Sequence, residues 1–454
     1  MISISGKITK KIENNFRKFK TLSVPQKRNL KEILKGLLIQ KTCFLSEIGR
    51  QQSRENLDRK NIERYSRTLS KTDSFEMVKA HLKQKKKWIN NGKGLTNPNL
   101  ILVDGGEILK ENCPRQFQTE KTQKTQYCCG IADGSKQHES AWGYKILNIS
   151  AHTPHNKRTH ILSQHLFSSN APDYKSDWDE QKTKMKLVQE IIDSENSIII
   201  EDSIGDDEKR INFYINEMRC YFIVRCKNTR KYKVNFEGDK LRLLFSEIGQ
   251  SIEFEAENTR QYFDKKVQQT VTSRVAFRSI EHPDLKDENG HPHSLYLIFV
   301  KSEAYDEPMA FLTNIEPQNS EEAWRIFFWY KKRWEVEKIY RDIKQKFKLE
   351  SALIRNYQAW QTLVVLTALA WEIMQELALE AREFLGICYQ VFCEWLHKKQ
   401  KKVATHLNLL DFLREFLVGY SPLASHRIYS WKFFLHRFHK DNSQLALFDF
   451  RKKW

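Results

Sequence analysis

Along the chain, the spacing of hydrophobic positions changes several times, and each change marks a new kind of element. From Lys7 to about Gly94 the period is helical and the polar positions are basic. Pro25 suits a first helical turn, and Leu30, Ile33, Leu34, Leu37 and Leu38 follow on one face. Two short segments, around Phe44–Gly49 and Arg59–Leu69, carry Leu45, Ile48, Ile62, Tyr65 and Leu69 and permit a helix-turn-helix-like pair suited to a major groove. The texture then shifts. Leu100–Val103 is a short apolar run that delivers Asp104 and is followed by Gly105 and Gly106, which predicts a buried strand with an acid at its end. Cys128–Ala132 and Trp142–Ser150 read as partner strands. Met185, Leu187, Val188, Ile191 and Ile192 restore helical spacing, and Ser197–Ile200 is a second apolar run followed by Glu201, Asp202 and Gly205.

Between Ile211 and Ile315 β-branched and aromatic residues dominate. Strands are predicted at Tyr221–Val224, Lys231–Phe236, Leu241–Phe245, Ile252–Glu255, Val271–Ile280 and Leu295–Val300, with Phe311–Ile315 returning the chain to the main domain. Helical spacing resumes over Trp329–Leu349, after Asn319 and Glu322 in a capping arrangement. Trp360–Leu377 is a nearly all-apolar helix too short in its apolar run, Leu363–Trp371, to span a bilayer. Two amphipathic helices, near Phe384–His397 and Leu407–Val418, lead to a tail that interleaves aromatics with cations.

The Trp329–Leu349 helix organises the chemistry. On a helix of 3.6 residues per turn, Phe328, Trp329, Val336, Ile339, Tyr340, Ile343 and Phe347 form an apolar stripe. Tyr330, Arg333, Glu337 and Lys344 share a neighbouring sector roughly 60° wide, and Arg341 and Lys348 extend that side. Such a face fits solvation, with an Arg–Glu pair at i, i+4 contributing a few tenths of a kcal/mol. It equally fits a carboxylate that holds a metal beside groups that hold phosphate. Two further acids decide between them, and the strand ends supply Asp104 and Asp202.

Charge moves the balance toward nucleic acid. Of 454 residues, 76 are Lys or Arg and 57 Asp or Glu, an excess of +19 spread over all regions rather than confined to a tail. The eight cysteines show no C-x-x-C pair, so ordinary reduced thiols are expected. His291 and His293 could ligate a metal or simply occupy a surface turn. The first residues lack the apolar core of a signal peptide, which suggests a cytoplasmic protein with no membrane segment.

Two strand-end aspartates and a helical glutamate suit phosphodiester chemistry. Hard divalent cations need oxygen ligands, and a pair of ions holds both the attacking and the leaving oxygen. With these residues in view, the chain resembles bacterial insertion-sequence transposases of the DDE class, of the insertion sequence family four type. The spacing Tyr330-x2-Arg333-x3-Glu337-x6-Lys344 is similar to their Y-R-E-K signature, and YKKRWEVEKIYRDIKQKFKLE resembles its surroundings. FLTN at 311–314 and FIVRCKNTR at 222–230 also fit.

The resemblance implies an α/β protein whose ribonuclease H-like catalytic core is interrupted by a β-rich insertion, with helical N-terminal and C-terminal regions. It implies Asp104, Asp202 and Glu337 as catalytic ligands of Mg²⁺ or Mn²⁺, two ions in all. Tyr330, Arg333 and Lys344, with Arg341 and Lys348, would contact DNA. It further implies double-stranded DNA partners, namely the element's own terminal inverted repeats and a target, engaged by a homodimer near the bacterial nucleoid. The expected reaction is cut-and-paste transposition: hydrolysis at the element's ends, then attack of the freed 3′-OH on target DNA. A DNA-binding derivative without chemistry, and a metal-dependent nuclease without joining, are the alternatives. The expected division is a helical DNA-binding domain at 1–94, core at 95–210 and 316–378, insertion at 211–315 and a helical region at 379–454. The chain departs from the pattern where Gly105-Gly106 replaces an Asp-Thr-like pair, and where Ser203–Asp207 replaces Arg-Gly. Asp206 and Asp207 are therefore further candidates for the second acid.

Overall fold

The computed structural model describes residues 4–52, 58–89, 94–110, 126–132, 140–153, 158–227, 231–236, 239–264, 266–286 and 290–384. The chain divides into two compact units, Met1–Lys11 with Ile373–Trp454, and Ile12–Glu372. In the first, the described parts belong to α1 (Ile4–Phe16) and to a long helix ending at Phe384, and Lys11 pairs with Glu376 at 2.9 Å. The amphipathic helices expected beyond Phe384 and the aromatic tail lie outside the described residues.

The second unit opens on four helices, α2 (Val24–Gln40), α3 (Leu45–Gln52), α4 (Asp58–Ser70) and α5 (Ser74–Ile89). Ser23 and Gln26 form a capping box at the start of α2, with Pro25 in its first turn. Leu30, Ile33, Leu34 and Leu37 are fully buried, as the helical spacing predicts. Gly36 lets α3 come close, since a Cβ there would lie 2.4 Å from Ile48 Cγ2. Arg64 and the Tyr65 hydroxyl on α4 both reach Glu32 on α2, at 2.6 and 3.0 Å.

Next come β1 (Asn99–Leu109), β2 (Cys129–Ala132), β3 (Ser140–Thr153) and β4 (Arg158–Phe167), then α6 (Asp177–Gln189) and β5 (Ser197–Glu201). After α7 (Glu208–Asn212) and a π-helical turn at Phe213–Glu217, β6 (Tyr221–Arg225) completes the central strands. The order across them is β4-β3-β1-β5-β6; β1 is antiparallel to β3 and parallel to β5, and β5 is parallel to β6. Strands in parallel pairing are covered on both faces and read as unbroken apolar runs. That is why LILV and SIII carry no alternation, and Leu100–Val103 and Ile198–Ile200 are all buried.

The β-rich stretch comprises β7 (Lys231–Phe236), β8 (Asp239–Leu244), α8 (Phe245–Gln250), β9 (Thr259–Asp264), β10 (Gln269–Lys286), β11 (Pro292–Ser302) and β12 (Met309–Thr313). Its strands do not form a separate sheet. Pairing of β12 with β6 carries the hydrogen bonding onward, so that among the described residues twelve strands form one mixed sheet. Ile252–Glu255, expected as a strand, is not one; pairing with β10 starts at Thr259 instead. The strand β4, with its interspersed His and Ser, was not expected from the sequence.

The helix expected over Trp329–Leu349 is divided. α9 (Ser320–Lys331), capped by Asn319 through Glu322 N–H at 3.0 Å, ends before Lys332. α10 (Trp334–Arg341) follows, then a π-helical turn at Asp342–Lys346. Arg333 and Val336 donate backbone bonds three residues back, to Tyr330 and Arg333, so the joint is a tight turn. Apolar spacing alone does not distinguish such a joint from continuous helix. α11 (Tyr357–Phe384) is buried along Leu363–Ile373. On it, Glu372 accepts from Ile161 N–H at 2.6 Å, and His81 on α5 donates to Ile161 C=O at 2.8 Å. These side chains cap the edge of β4 that pairs with no other described strand.

Candidate active site

Pairing register brings the two aspartates together, although Asp104 stands in the middle of β1 rather than at its end: the parallel pairing with β5 stops at Leu102 while β1 runs on to Leu109 against β3. Leu102 lies opposite Ile200 in the parallel β1–β5 pair, and two residues further on each strand stand Asp104 and Asp202. Both side chains leave the same face, because strand side chains alternate with period two. Asp202 caps a short turn of 3₁₀ helix at Ser203–Gly205, accepting from Ile204 N–H at 2.9 Å.

α10 delivers the third acid. Tyr340, buried, donates to the backbone oxygens of Asp104 and Ile146 at 2.8 and 3.1 Å, which fixes α10 against β1. Gly106 makes room for it: a Cβ there would sit 3.3 Å from the Tyr340 ring. Gly106 therefore has a packing reason in this chain. One turn before Tyr340, Glu337 accepts from Arg333 Nη2 at 2.7 Å, and Arg333 Nη1 reaches Asp104 at 3.5 Å. The guanidinium thus bridges the strand acid and the helix acid. Its Nε is buried without a partner among the described residues.

The charges of these groups act on one another. Burial pushes the Asp104 carboxyl up to about 7; Arg333 opposes this, while Asp202, Glu337 and Glu201 add to it. Burial also raises the Tyr330 phenol, against Arg333 and Arg225, and Asp202 contributes upward. Tyr330 is only 7% exposed and packs its ring on Phe311 of β12 with centroids 4.5 Å apart, so it does not stand on an open charged face. Lys344 is half-buried and pairs with Glu350 at 3.3 Å. Arg341 and Lys348 are exposed, and Lys348 has φ +52°. The structure therefore gathers Asp104, Asp202, Glu337, Arg333 and Tyr330, and leaves Lys344, Arg341 and Lys348 along the flank.

The other acids after β5 are engaged elsewhere. Asp206 is 1% exposed and accepts from Lys227 N–H at 2.7 Å. Asp207 caps α7 through Lys209 and Arg210 N–H. Sequence reasoning missed Glu201, which points to the opposite face from Asp202. It is buried and accepts from Tyr214 Oη at 2.6 Å, Gln181 Nε2 at 3.1 Å and the Arg210 guanidinium. An acid closing a fully apolar strand, with an Arg and a Tyr soon after, was the available signal. His293 bonds Asn216 at 2.9 Å, which accounts for one of the two candidate histidines.

Carboxylate oxygens are the donors a hard divalent cation requires, and Asp104, Asp202 and Glu337 are of that chemical kind. Among the described residues, however, no three Asp, Glu, His or Cys side chains converge closely enough to hold an ion. The cation between Asp104 and Glu337 is Arg333.

The fold is of the α/β class, a large mixed sheet flanked by helices. The family described as Transposase DDE domain matches residues 117–373, and the chain belongs to it. Asp202 and Glu337 fall inside the matched stretch, while β1 with Asp104 precedes it. No curated protein matches the chain. Among the described residues, no helix is long and apolar enough to cross a membrane.

Proposed function

We propose that this transposase catalyses cut-and-paste transposition through Asp104, Asp202 and Glu337. The observation that carries the reading is the Arg333 bridge: one cation joins a β1 acid to an α10 acid, with Asp202 within electrostatic reach. The order β4-β3-β1-β5-β6 supports a ribonuclease H-like core that begins near residue 95 and runs through β6 to Arg225, later than the expected limit of 210, with the β-rich stretch from β7 to β12 inserted before α9.

In this reading the three carboxylates hold two Mg²⁺ or Mn²⁺ ions. Held by Asp104, Asp202 and Glu337, such ions would supply Lewis acidity for phosphodiester cleavage. The chain's own part is positioning. Tyr340 and Gly106 seat α10 against β1, and the Glu201 cluster fixes the turn that carries Asp202. Arg333 faces the phosphate with the buried Tyr330 behind it, Lys344 flanks them, and exposed Arg341 and Lys348 extend the DNA-backbone contact. The Y-R-E-K pattern supports placement in the insertion sequence family four type. The substrate is double-stranded DNA bearing the element's terminal repeats, bound by a homodimer in the bacterial cytoplasm, and strand transfer to a target follows cleavage.

The test uses purified protein, Mg²⁺ and DNA carrying the element's ends. Glu337→Gln is expected to lose cleavage by at least about 10³-fold while keeping affinity for the ends. Unchanged cleavage would remove Glu337 from the site. Cleavage without joined products would favour a nuclease.

A further inference from the structure

Arg333 satisfies two carboxylates that cannot also be fully engaged by a metal ion. Its guanidinium is 13% exposed and makes contacts of 2.7 Å to Glu337 and 3.5 Å to Asp104. Glu337 is itself the more open partner, at 36%, and Asp104 the more enclosed, at 12%. A divalent ion entering between them would meet the guanidinium's positive charge at close range, and the two like charges would repel.

The joint between α9 and α10 gives the side chain an anchor from which to swing. Arg333 sits in the tight turn, with its own N–H bonded to Tyr330 C=O at 2.9 Å. Its backbone is thus held independently of the side chain. Nε, buried and without a partner among the described residues, gains nothing from the bridged position.

We infer that Arg333 is a resident counter-cation: it neutralises Asp104 and Glu337 before metal arrives, competes with metal for them, and is released toward the DNA backbone when metal binds. The inference rests on the proposed metal site. It adds that site formation and phosphate contact are coupled through one side chain, since metal occupancy frees the guanidinium's donors. Without the counter-cation, Asp104 and Glu337 would face each other's charge in the metal-free fold.

The experiment titrates Mn²⁺ into the full chain without DNA, reading free Mn²⁺ by electron paramagnetic resonance, for wild type and Arg333→Gln. The variant is expected to bind Mn²⁺ about tenfold more tightly, the scale of losing one competing charge-assisted bond, and its metal-free melting temperature is expected to fall. On the wild-type protein, phenylglyoxal modification of Arg333, read by peptide mass spectrometry, is expected to rise several-fold on Mn²⁺ addition; this arm needs no variant to fold. Mn²⁺ binding to wild type with no tightening in Arg333→Gln and no rise in Arg333 reactivity would overturn the counter-cation role and leave the metal site standing. Absence of Mn²⁺ binding to both proteins would overturn the metal site and the inference with it.

Discussion

At the scale of single residues, the turn after β5 shows how a strand end is held for chemistry. Asp202 leaves one face while Glu201, its neighbour, is anchored on the other by Tyr214, Gln181 and Arg210. Burial raises the Glu201 carboxyl, and Arg210, Tyr214 and Gln181 pull it back. Gly205 closes the turn against this cluster: a Cβ there would lie 2.8 Å from both Glu201 Oε2 and Val224 Cγ1. The need for glycine is one of space. Gly205→Ala is expected to destabilise the protein by about 1 to 3 kcal/mol. If the turn positions Asp202, cleavage of DNA should fall further than the folded fraction does, measured by comparing turnover with circular dichroism at one temperature. Glu201 was legible only in part: Arg210 and Tyr214 follow it closely in sequence, but Gln181 comes from the preceding helix, and the burial that unites them shows only in the fold.

At the scale of elements, helices α5 and α11 lock onto β4 through Glu372, which is 4% exposed. Lys85 Nζ lies 2.5 Å from it and Arg158 3.7 Å away. Burial would raise this carboxyl, but Lys85, His160 and Arg158 hold it well below the usual range. A buried charge that loses its partner is costly, about 3 to 5 kcal/mol. Lys85→Met is expected to fall near the lower figure, because Arg158 remains. The check is the urea midpoint, and a smaller loss in Lys85→Met combined with Glu372→Leu would identify the unpaired carboxylate as the cause. Elements were legible wherever burial leaves a pattern. The unbroken runs of β1 and β5, the capped start of α9 and the apolar α11 all follow from side-chain type. The joint at Lys332–Arg333 and the π-helical turn do not, since both keep the apolar residues inward while altering only the backbone bonding.

For the whole molecule, the buried histidines set the acid limit. Burial depresses His81 and His152 from 6.5 to about 4, with Lys85 and Lys332 respectively adding to the effect. Both are neutral in the fold, and the unfolded chain takes up their protons first. Stability is therefore full above about pH 6.5 and is lost as the pH falls through 4, by roughly 3 kcal/mol for each group. Denaturant midpoints measured from pH 7 to 4 should trace this decline, and His81→Gln should flatten part of it. The sequence-derived charge excess explained none of this. It spoke for a polyanionic partner, which the transposase family bears out at the level of DNA, while the internal charges that hold the fold are paired and invisible to a sum. Of the proposed site, Glu337 and Arg333 were legible because their four-residue spacing keeps them on one side even though Arg333 lies in the joint just before α10. Asp104 and Asp202 rested on strand ends, and only the register of β1 against β5 sets them side by side.

That register has a consequence for how the gene can change. Asp104 and Asp202 are aligned by hydrogen bonds between strands, so the connections between the elements from Leu109 to Ser197 can grow or shrink without moving either acid, whereas β3, which pairs with β1 across from Asp104, cannot. An insertion inside β1 before Asp104 would send its carboxylate to the other face of the sheet. An insertion between Arg333 and Glu337 would rotate the glutamate by about 100° on its helix. Length variation in this lineage should therefore accumulate between the strands and be excluded from the α9–α10 joint. The stretch with the most rigid spacing is also the one where a single added codon does the most harm.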